Sequence, residues 1–341
     1  MQPNIPEVSI IIPVLNEEDY IEDCIESVIS SISDLSFEIL IIDGGSLDGT
    51  LEILKDLQSR NSEIKVYDNP KKITPSALNI GIKNSRGKYI VRLDAHAFYH
   101  DNYVENSVKV LKEGPEEIAN VGGPILTESK DKGLFATAIS LCLSSIFGVG
   151  NSKFRTNIPE SAIYVETVPF GCFKREIFEE IGLFNETEPR NEDLEFNKRI
   201  LDSGRKILLH PSIKSTYFAR TTFTALFSQQ FDNGKIVTDK LRGNDSFHKL
   251  RHFVPLFFVS YLVSIFPFLY INSWLLLESE AVVIYLLPLI SYIFLNSSFS
   301  LYIAIKNRLV LFFPLFISFL ILHVSNGLGS IYGLFRNTTK G

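Results

Sequence analysis

The sequence predicts an α/β fold, a parallel-type sheet flanked by helices, joined to a C-terminal α-helical membrane region. Two observations carry this expectation. Four short β-rich runs alternate with helix-spaced segments inside the first 94 residues, the pattern of right-handed βαβ units. Three apolar stretches, 253–277, 281–305 and 309–335, then close the chain. Each has at least 25 residues and none contains Lys, Arg, Asp or Glu, whereas a bilayer-crossing helix needs about 20 apolar residues.

Val8–Val14 (VSIIIPV) is a continuous, β-branched run, suited to a strand buried on both faces. Over 17–32, apolar residues recur at Ile21, Cys24, Ile25, Val28, Ile29 and Ile32, which is helical spacing. Phe37–Ile42 is a second buried strand ending at Asp43, and a helix starting near Asp48 carries Leu51, Ile53, Leu54 and Leu57. Ile64–Tyr67 reads as a third strand. Thr74-Pro75 supplies an N-cap and a first-turn proline for a helix to about Ile82. Lys88–Leu93 is the fourth strand and ends at Asp94. Rossmann-like sheets of this kind bind ligands at the carboxyl ends of their strands, and Asn16, Glu17, Asp43, Asp94 and His96 all fall there.

The second half is less regular. Leu134–Phe147 is an uncharged apolar helix too short, at 14 residues, to span a bilayer. Tyr164–Phe170 suits a strand and Glu192–Asp202 a helix. Thr222–Leu241 suits an amphipathic helix leading to the basic cluster His248, Lys249, Arg251 and His252. The expected organisation is an α/β domain over 1–221, an amphipathic juxtamembrane segment over 222–252, and three membrane helices over 253–341.

Composition narrows the function classes. The chain is 45% hydrophobic with 27 Phe, the excess lying in its last third, and the first 250 residues suffice for one large core. A net charge of −6 disfavours a nucleic-acid partner. Cys24, Cys142 and Cys172 are odd in number and far apart, so they fit neither a disulfide framework nor a zinc site, and a reducing environment suits them. The segment MQPNIPEVSIIIPV has no basic region preceding an apolar one, so no signal peptide is expected.

Several constellations carry chemistry. In Asp94-Ala95-His96, residues two apart in extended chain share a face, and a carboxylate with an imidazole suits Mn²⁺ or a similar divalent ion; the plainer reading is a strand-ending Asp beside a surface His. Asp43 opens the turn-rich link Asp43-Gly44-Gly45-Ser46-Leu47-Asp48-Gly49-Thr50, where a carboxylate can accept from a base N–H or a ribose hydroxyl. That link lacks the spacing of a G-x-G-x-x-G fingerprint and the lysine of a P-loop. Asn191-Glu192-Asp193 opens a helix. Acids there are favoured by the helix dipole alone, but one carboxylate could also serve as a general base. Gln229-Gln230, on the amphipathic segment, is either a solvated polar face or a phosphate- or acceptor-binding pair.

Taken together, these residues resemble family 2 glycosyltransferases of GT-A fold. The resemblance rests on Ser9–Glu17 (SIIIPVLNE), Ile41–Thr50 (IIDGGSLDGT), Ala77-Leu78-Asn79-Ile80-Gly81, Gly87–Ile90 running to Asp94, and Asn191–Glu195 (NEDLE). They stand in family order over roughly residues 8–240. Arg92–Ala97 (RLDAHA), Asn120–Pro124 (NVGGP) and Phe147–Ser152 (FGVGNS), with the C-terminal apolar region, are similar to the succinoglycan glucosyltransferase subgroup, which extends lipid-linked oligosaccharides. The resemblance implies a nucleotide pocket lined by Pro13, Val14, Asn16 and Glu17, with Asp43 reading the base. It implies Asp94 at the donor diphosphate, Asp94 and His96 as the D-x-D metal motif holding Mn²⁺ or Mg²⁺, and Asp193 as catalytic base. Two departures matter. The second D of D-x-D is His96, and Gln229–Gly234 (QQFDNG) stands where processive synthases have Q-x-x-R-W, which argues against processive synthesis.

The expected function is inverting transfer of a sugar from a nucleotide sugar, UDP-linked, to a lipid-linked saccharide at the cytoplasmic membrane face, in polysaccharide or glycan assembly. Glu192, Gln229 and Gln230 are weaker acceptor- or phosphate-side candidates. The rivals are a polyprenyl-phosphate sugar synthase, whose phosphate acceptor needs no general base, and a non-catalytic membrane scaffold. The expected location is an integral, multi-pass membrane protein with a cytoplasmic catalytic domain.

Overall fold

A computed structural model describes residues 5–156, 158–187, 192–239, 250–275 and 279–335. In chain order the first elements are β1 (Val8–Val14), α1 (Ile21–Ser30), β2 (Phe37–Asp43), α2 (Thr50–Arg60), β3 (Ile64–Asp68), α3 (Thr74–Asn84), β4 (Tyr89–Arg92), β5 (Ala97–Tyr99), α4 (Tyr103–Glu113), β6 (Ile118–Gly122) and β7 (Ile125–Glu128). There follow α5 (Leu134–Leu143), α6 (Ile146–Val149), α7 (Lys153–Thr156), β8 (Ile163–Val165), β9 (Cys172–Lys174), α8 (Glu176–Glu180), α9 (Glu192–Asp202), β10 (Lys206–Leu209) and β11 (Ser215–Phe218). The last helices are α10 (Phe223–Asp239), α11 (Val254–Leu275), α12 (Ser279–Lys306) and α13 (Phe312–Phe335). The chain divides into two compact units, Met1–Leu126 with Ser152–Phe218, and Thr127–Asn151 with Ala219–Gly341. The expected apolar segment Leu134–Phe147 thus belongs to the second unit.

The first unit is α/β. Its main sheet has eight strands in the order β3-β2-β1-β4-β9-β6-β10-β8. The first four run parallel, as their βαβ spacing predicts, with Val14 opposite Asp43 and Ile11 opposite Arg92. The sheet is nonetheless mixed, because β9 runs antiparallel to both β4 and β6, and β8 antiparallel to β10. β1 shows why a continuous apolar run marks such a strand. Val8, Ile10, Ile12 and Val14 join one core with α1 and α4, while Ile11 joins the other with Leu78 of α3 and Phe196 of α9. A Cβ at Gly81 would lie 2.4 Å from Ile11 Cγ2, so α3 seats on β1 through that glycine.

Four local expectations change. The helix expected from Glu17 begins at Ile21, because Asn16 takes the left-handed conformation (φ 55°) and Glu17–Tyr20 forms a turn closed by Tyr20 N–H donating to the Glu17 carbonyl at 3.0 Å. Thr74 is the first helical residue of α3 and Ile73 its extended cap, leaving Pro75 in the first turn. Leu134–Phe147 divides into α5 and α6 at Ser144-Ser145, where the Ser145 hydroxyl accepts from Gly148 N–H at 3.1 Å. The strand expected over Tyr164–Phe170 ends at Val165. Pro169 has no N–H to give a ladder, and pairing resumes at Cys172 in β9.

In the second unit, α11, α12 and the segment Leu309–Phe335 containing α13 are long and apolar enough to cross a membrane. Small residues bring backbones together. A Cβ at Gly234 of α10 would lie 1.9 Å from the Asn326 carbonyl, one at Gly329 2.0 Å from that of Phe231, and one at Gly327 2.3 Å from that of Pro255. Several polar side chains among these helices are paired: His323 hydrogen-bonds Tyr292 Oη at 3.1 Å and the Phe147 carbonyl at 2.9 Å, and Asn296 donates to the Phe316 carbonyl at 3.2 Å.

Candidate active site

The site of the first unit grows from three strand ends and one helix start. After β1, Pro13 and Val14 lead into Asn16, whose positive φ aims its side-chain oxygen at Leu47 N–H (2.8 Å) while its own N–H donates to the Ser46 hydroxyl (2.8 Å). Glu17 N–H donates to the Thr50 hydroxyl at 2.8 Å. The loop after β1 is therefore laced to the loop after β2. Asp43 organises the second loop. Its carboxylate is buried and accepts from Gly45 N–H (2.7 Å), Ser46 N–H (3.1 Å) and the Ser46 hydroxyl (2.6 Å). A base N–H approaching Asp43 would share oxygens already engaged by this turn.

After β4 the chain reverses. Asp94 N–H donates to Tyr99 Oη at 2.8 Å and Tyr99 Oη donates back to the Asp94 carbonyl at 3.0 Å. This reversal places His96 Nδ1 3.1 Å from Glu17 Oε1, so residues 79 apart meet. The Tyr217 ring of β11 stands edge-on to His96 with centroids 5.3 Å apart.

The centre of the site is Arg92, which has no place among the residues expected from sequence. Its side chain is only 6% exposed and meets three carboxylates: Asp94 Oδ1 at 3.0 Å, Glu192 Oε1 at 2.9 Å and Asp193 Oδ2 at 3.2 Å. It also donates to the Pro169 carbonyl at 2.8 Å and lies over the Phe170 ring, while its Nε has no protein partner. Burial opposes its charge, but the carboxylates, Asp193 foremost, carry its pKa above the ordinary arginine value. Burial pushes the Asp193 carboxyl well above the usual aspartate range and Glu192 upward too, against the pull of Arg92. A carboxylate with raised pKa is a better proton acceptor at neutral pH. The signal that could have found Arg92 is a lone guanidinium at the end of the apolar run Tyr89-Ile90-Val91.

Asp94 and His96 could hold a divalent cation. Among the described residues no cluster of three or more His, Cys, Asp or Glu side chains forms a cage. The oxygen-plus-imidazole pair suits an ion that takes its other ligands from phosphate and water, as Mg²⁺ and Mn²⁺ commonly do. Gln229 and Gln230 lie on α10 of the second unit, where Asn233 donates to Gln230 Oε1 at 3.5 Å. Asn191, His248 and Lys249 lie outside the described residues.

The glycosyl transferase family 2 model matches residues 9–182, which contain every strand-end residue of this site. A dolichyl N-acetyl-α-D-glucosaminyl phosphate 3-β-D-2,3-diacetamido-2,3-dideoxy-β-D-glucuronosyltransferase of Methanococcus voltae is 31% identical over 235 residues, 67% of this chain and 71% of that protein. The succinoglycan biosynthesis protein ExoA of Rhizobium meliloti is 30% identical over 250 residues, 72% of this chain and 74% of that protein. The solved structure of S. aureus TarS aligns at TM-score 0.45 and 14% identity, over 72% of this chain and 45% of that one. With more than half the chain matched by the model, and two relatives at 30% identity or more aligned over most of their length, this protein belongs to glycosyl transferase family 2.

Proposed function

We propose that the chain transfers a sugar from a UDP-linked donor, with inversion, to a saccharide carried on a membrane lipid. The observation that carries the reading is the Arg92 cluster. It holds a proton-accepting pair, Glu192 and Asp193, beside the strand-end residue Asp94. Pro13, Val14, Asn16, Glu17 and Asp43 form the nucleotide side. Asp193 takes the proton of the acceptor hydroxyl. The acceptor oxygen forms a bond to the anomeric carbon from the face opposite the leaving group. The bond from that carbon to the diphosphate oxygen breaks, and its electron pair leaves with the nucleoside diphosphate. A divalent ion on Asp94 and His96 would supply positive charge to the departing diphosphate.

His96→Ala should weaken UDP binding in the presence of Mn²⁺ and leave it unchanged without. Titration calorimetry of parent and variant checks this, and equal Mn²⁺-dependent affinity would remove His96 from the ion site.

A lipid-linked acceptor is favoured by the three apolar helices and by the relatives, one named for a dolichyl-linked sugar phosphate acceptor and one for succinoglycan biosynthesis. The orientation follows from loop charge. Lys306-Asn307-Arg308 joins the second and third apolar segments and Glu278-Ser279-Glu280 the first and second, and short basic loops stay on the cytoplasmic side. The catalytic unit, which precedes the first apolar segment, then lies inside. The three native cysteines are buried, so engineered ones can be read singly. Ser279→Cys should be labelled by an impermeant thiol reagent in intact cells and Asn307→Cys should not; the reverse pattern overturns the orientation.

A further inference from the structure

The short helix α7 carries a second arginine, Arg155, whose situation is the inverse of Arg92. Its guanidinium sits over the Tyr217 ring, 5.0 Å from the centroid, and within 5.8 Å of the Phe154 ring. Among the described residues no carboxylate pairs with it and no carbonyl accepts from it, although a guanidinium offers five N–H donors. Ring faces hold such a cation in place without consuming its in-plane donors. The ring that seats it, Tyr217, is the one standing edge-on to His96.

The charge of the site says what those donors meet. Glu17, Asp94, Glu192 and Asp193 bring four carboxylates to the centre, and Arg92 is already committed to three of them. An anionic substrate entering there needs an uncommitted cation. We propose that Arg155 is a diphosphate-binding residue of the reaction centre, held ready on the Tyr217 ring and donating in bidentate fashion to phosphate oxygens. The inference rests on the transferase reading above. Two substrates of such a reaction carry that chemistry, the nucleoside diphosphate of the donor and the pyrophosphate of a polyprenyl carrier.

The test uses the full-length protein in detergent with Mn²⁺ present throughout. UDP and UMP affinities are measured by calorimetry for the parent, Arg155→Met and Arg155→Lys, together with the KM for a polyprenyl-pyrophosphate-linked saccharide. In Arg155→Met, UDP affinity should fall about 10- to 100-fold, the range for a hydrogen bond to a charged group, while UMP affinity changes less than about threefold. Retained UMP binding shows that the pocket is folded. Arg155→Lys should recover part of the loss, since it restores the charge without the planar fork. Unchanged UDP affinity with a raised acceptor KM assigns the same residue to the carrier pyrophosphate. An equal fall for UDP and UMP, or no change in any of the three quantities, overturns the proposal. A parent that binds no nucleoside diphosphate removes the transferase reading, and the proposal with it.

Discussion

Asp193→Asn lowers kcat by about 10²- to 10⁴-fold, the usual contribution of a positioned general base, and leaves donor affinity close to that of the parent. The expectation follows from where α9 begins. Its first turn presents Glu192 and Asp193 to Arg92, and burial lifts the Asp193 carboxyl well above the ordinary aspartate range. Asparagine keeps the shape and the contact with the rim but cannot accept a proton. The same shift sets the pH dependence. A base must be ionised to act, so the acid limb of the parent's kcat profile lies above the pH at which an unperturbed aspartate titrates. Steady-state kinetics across pH checks both points. Near-parental turnover in Asp193→Asn would move the base to Glu192 or indicate a phosphate acceptor, which needs none.

Arg92→Met has the largest expected effect on stability. Removing one partner of a buried ion pair leaves uncompensated buried charge and costs about 3–5 kcal/mol. Here one guanidinium faces three carboxylates, two of them at least four-fifths buried alongside it. The deficit has a definite pH sense. Glu192 and Asp193 have folded-state pKa values raised above the unfolded ones, so they bind protons more readily in the folded protein. Stability carried by such groups rises as pH falls. With Arg92 gone the upward shift grows, so the gap between variant and parent is widest at neutral and alkaline pH and narrows on acidification. Thermal melting of the detergent-solubilised proteins from neutral to mildly acidic pH measures it. A variant as stable as the parent at neutral pH contradicts the role of Arg92 as the counter-charge of the site.

What could be read from sequence, and what could not, follows from the length and repetition of each signal. β1 and β2 were legible because strands buried on both faces need apolar residues at consecutive positions, and seven residues suffice to show it. The helix Glu192–Asp202 was legible to the residue from its acidic first turn and apolar spacing. The apolar helices were legible because their segments each run at least 25 residues without a charged side chain. By contrast β5, β8 and β9 have three residues each, too few for any period to register, and the antiparallel insertion of β9 beside β4 depends on partners 81 to 85 residues away. The grouping of Thr127–Asn151 with the C-terminal helices is likewise a tertiary fact. At the site, strand ends pointed to Asn16, Glu17, Asp43, Asp94 and His96. The Glu17–His96 contact and the Arg92 hub were hidden, because one joins residues 79 apart and the other reads locally as a single charge in a strand.

On the proposed function, this rim transfers a glycosyl group from a nucleotide sugar to a lipid-linked acceptor. The most direct measurement incubates the purified full-length protein with a panel of radiolabelled nucleotide sugars and a polyprenyl-linked saccharide, with Mn²⁺, and follows label into the lipid phase. At least one UDP-sugar should label the saccharide-bearing lipid, and Asp193→Asn should abolish most of that incorporation. Label appearing on a bare polyprenyl phosphate instead, or no transfer from any donor by a protein that binds none of them, would contradict it.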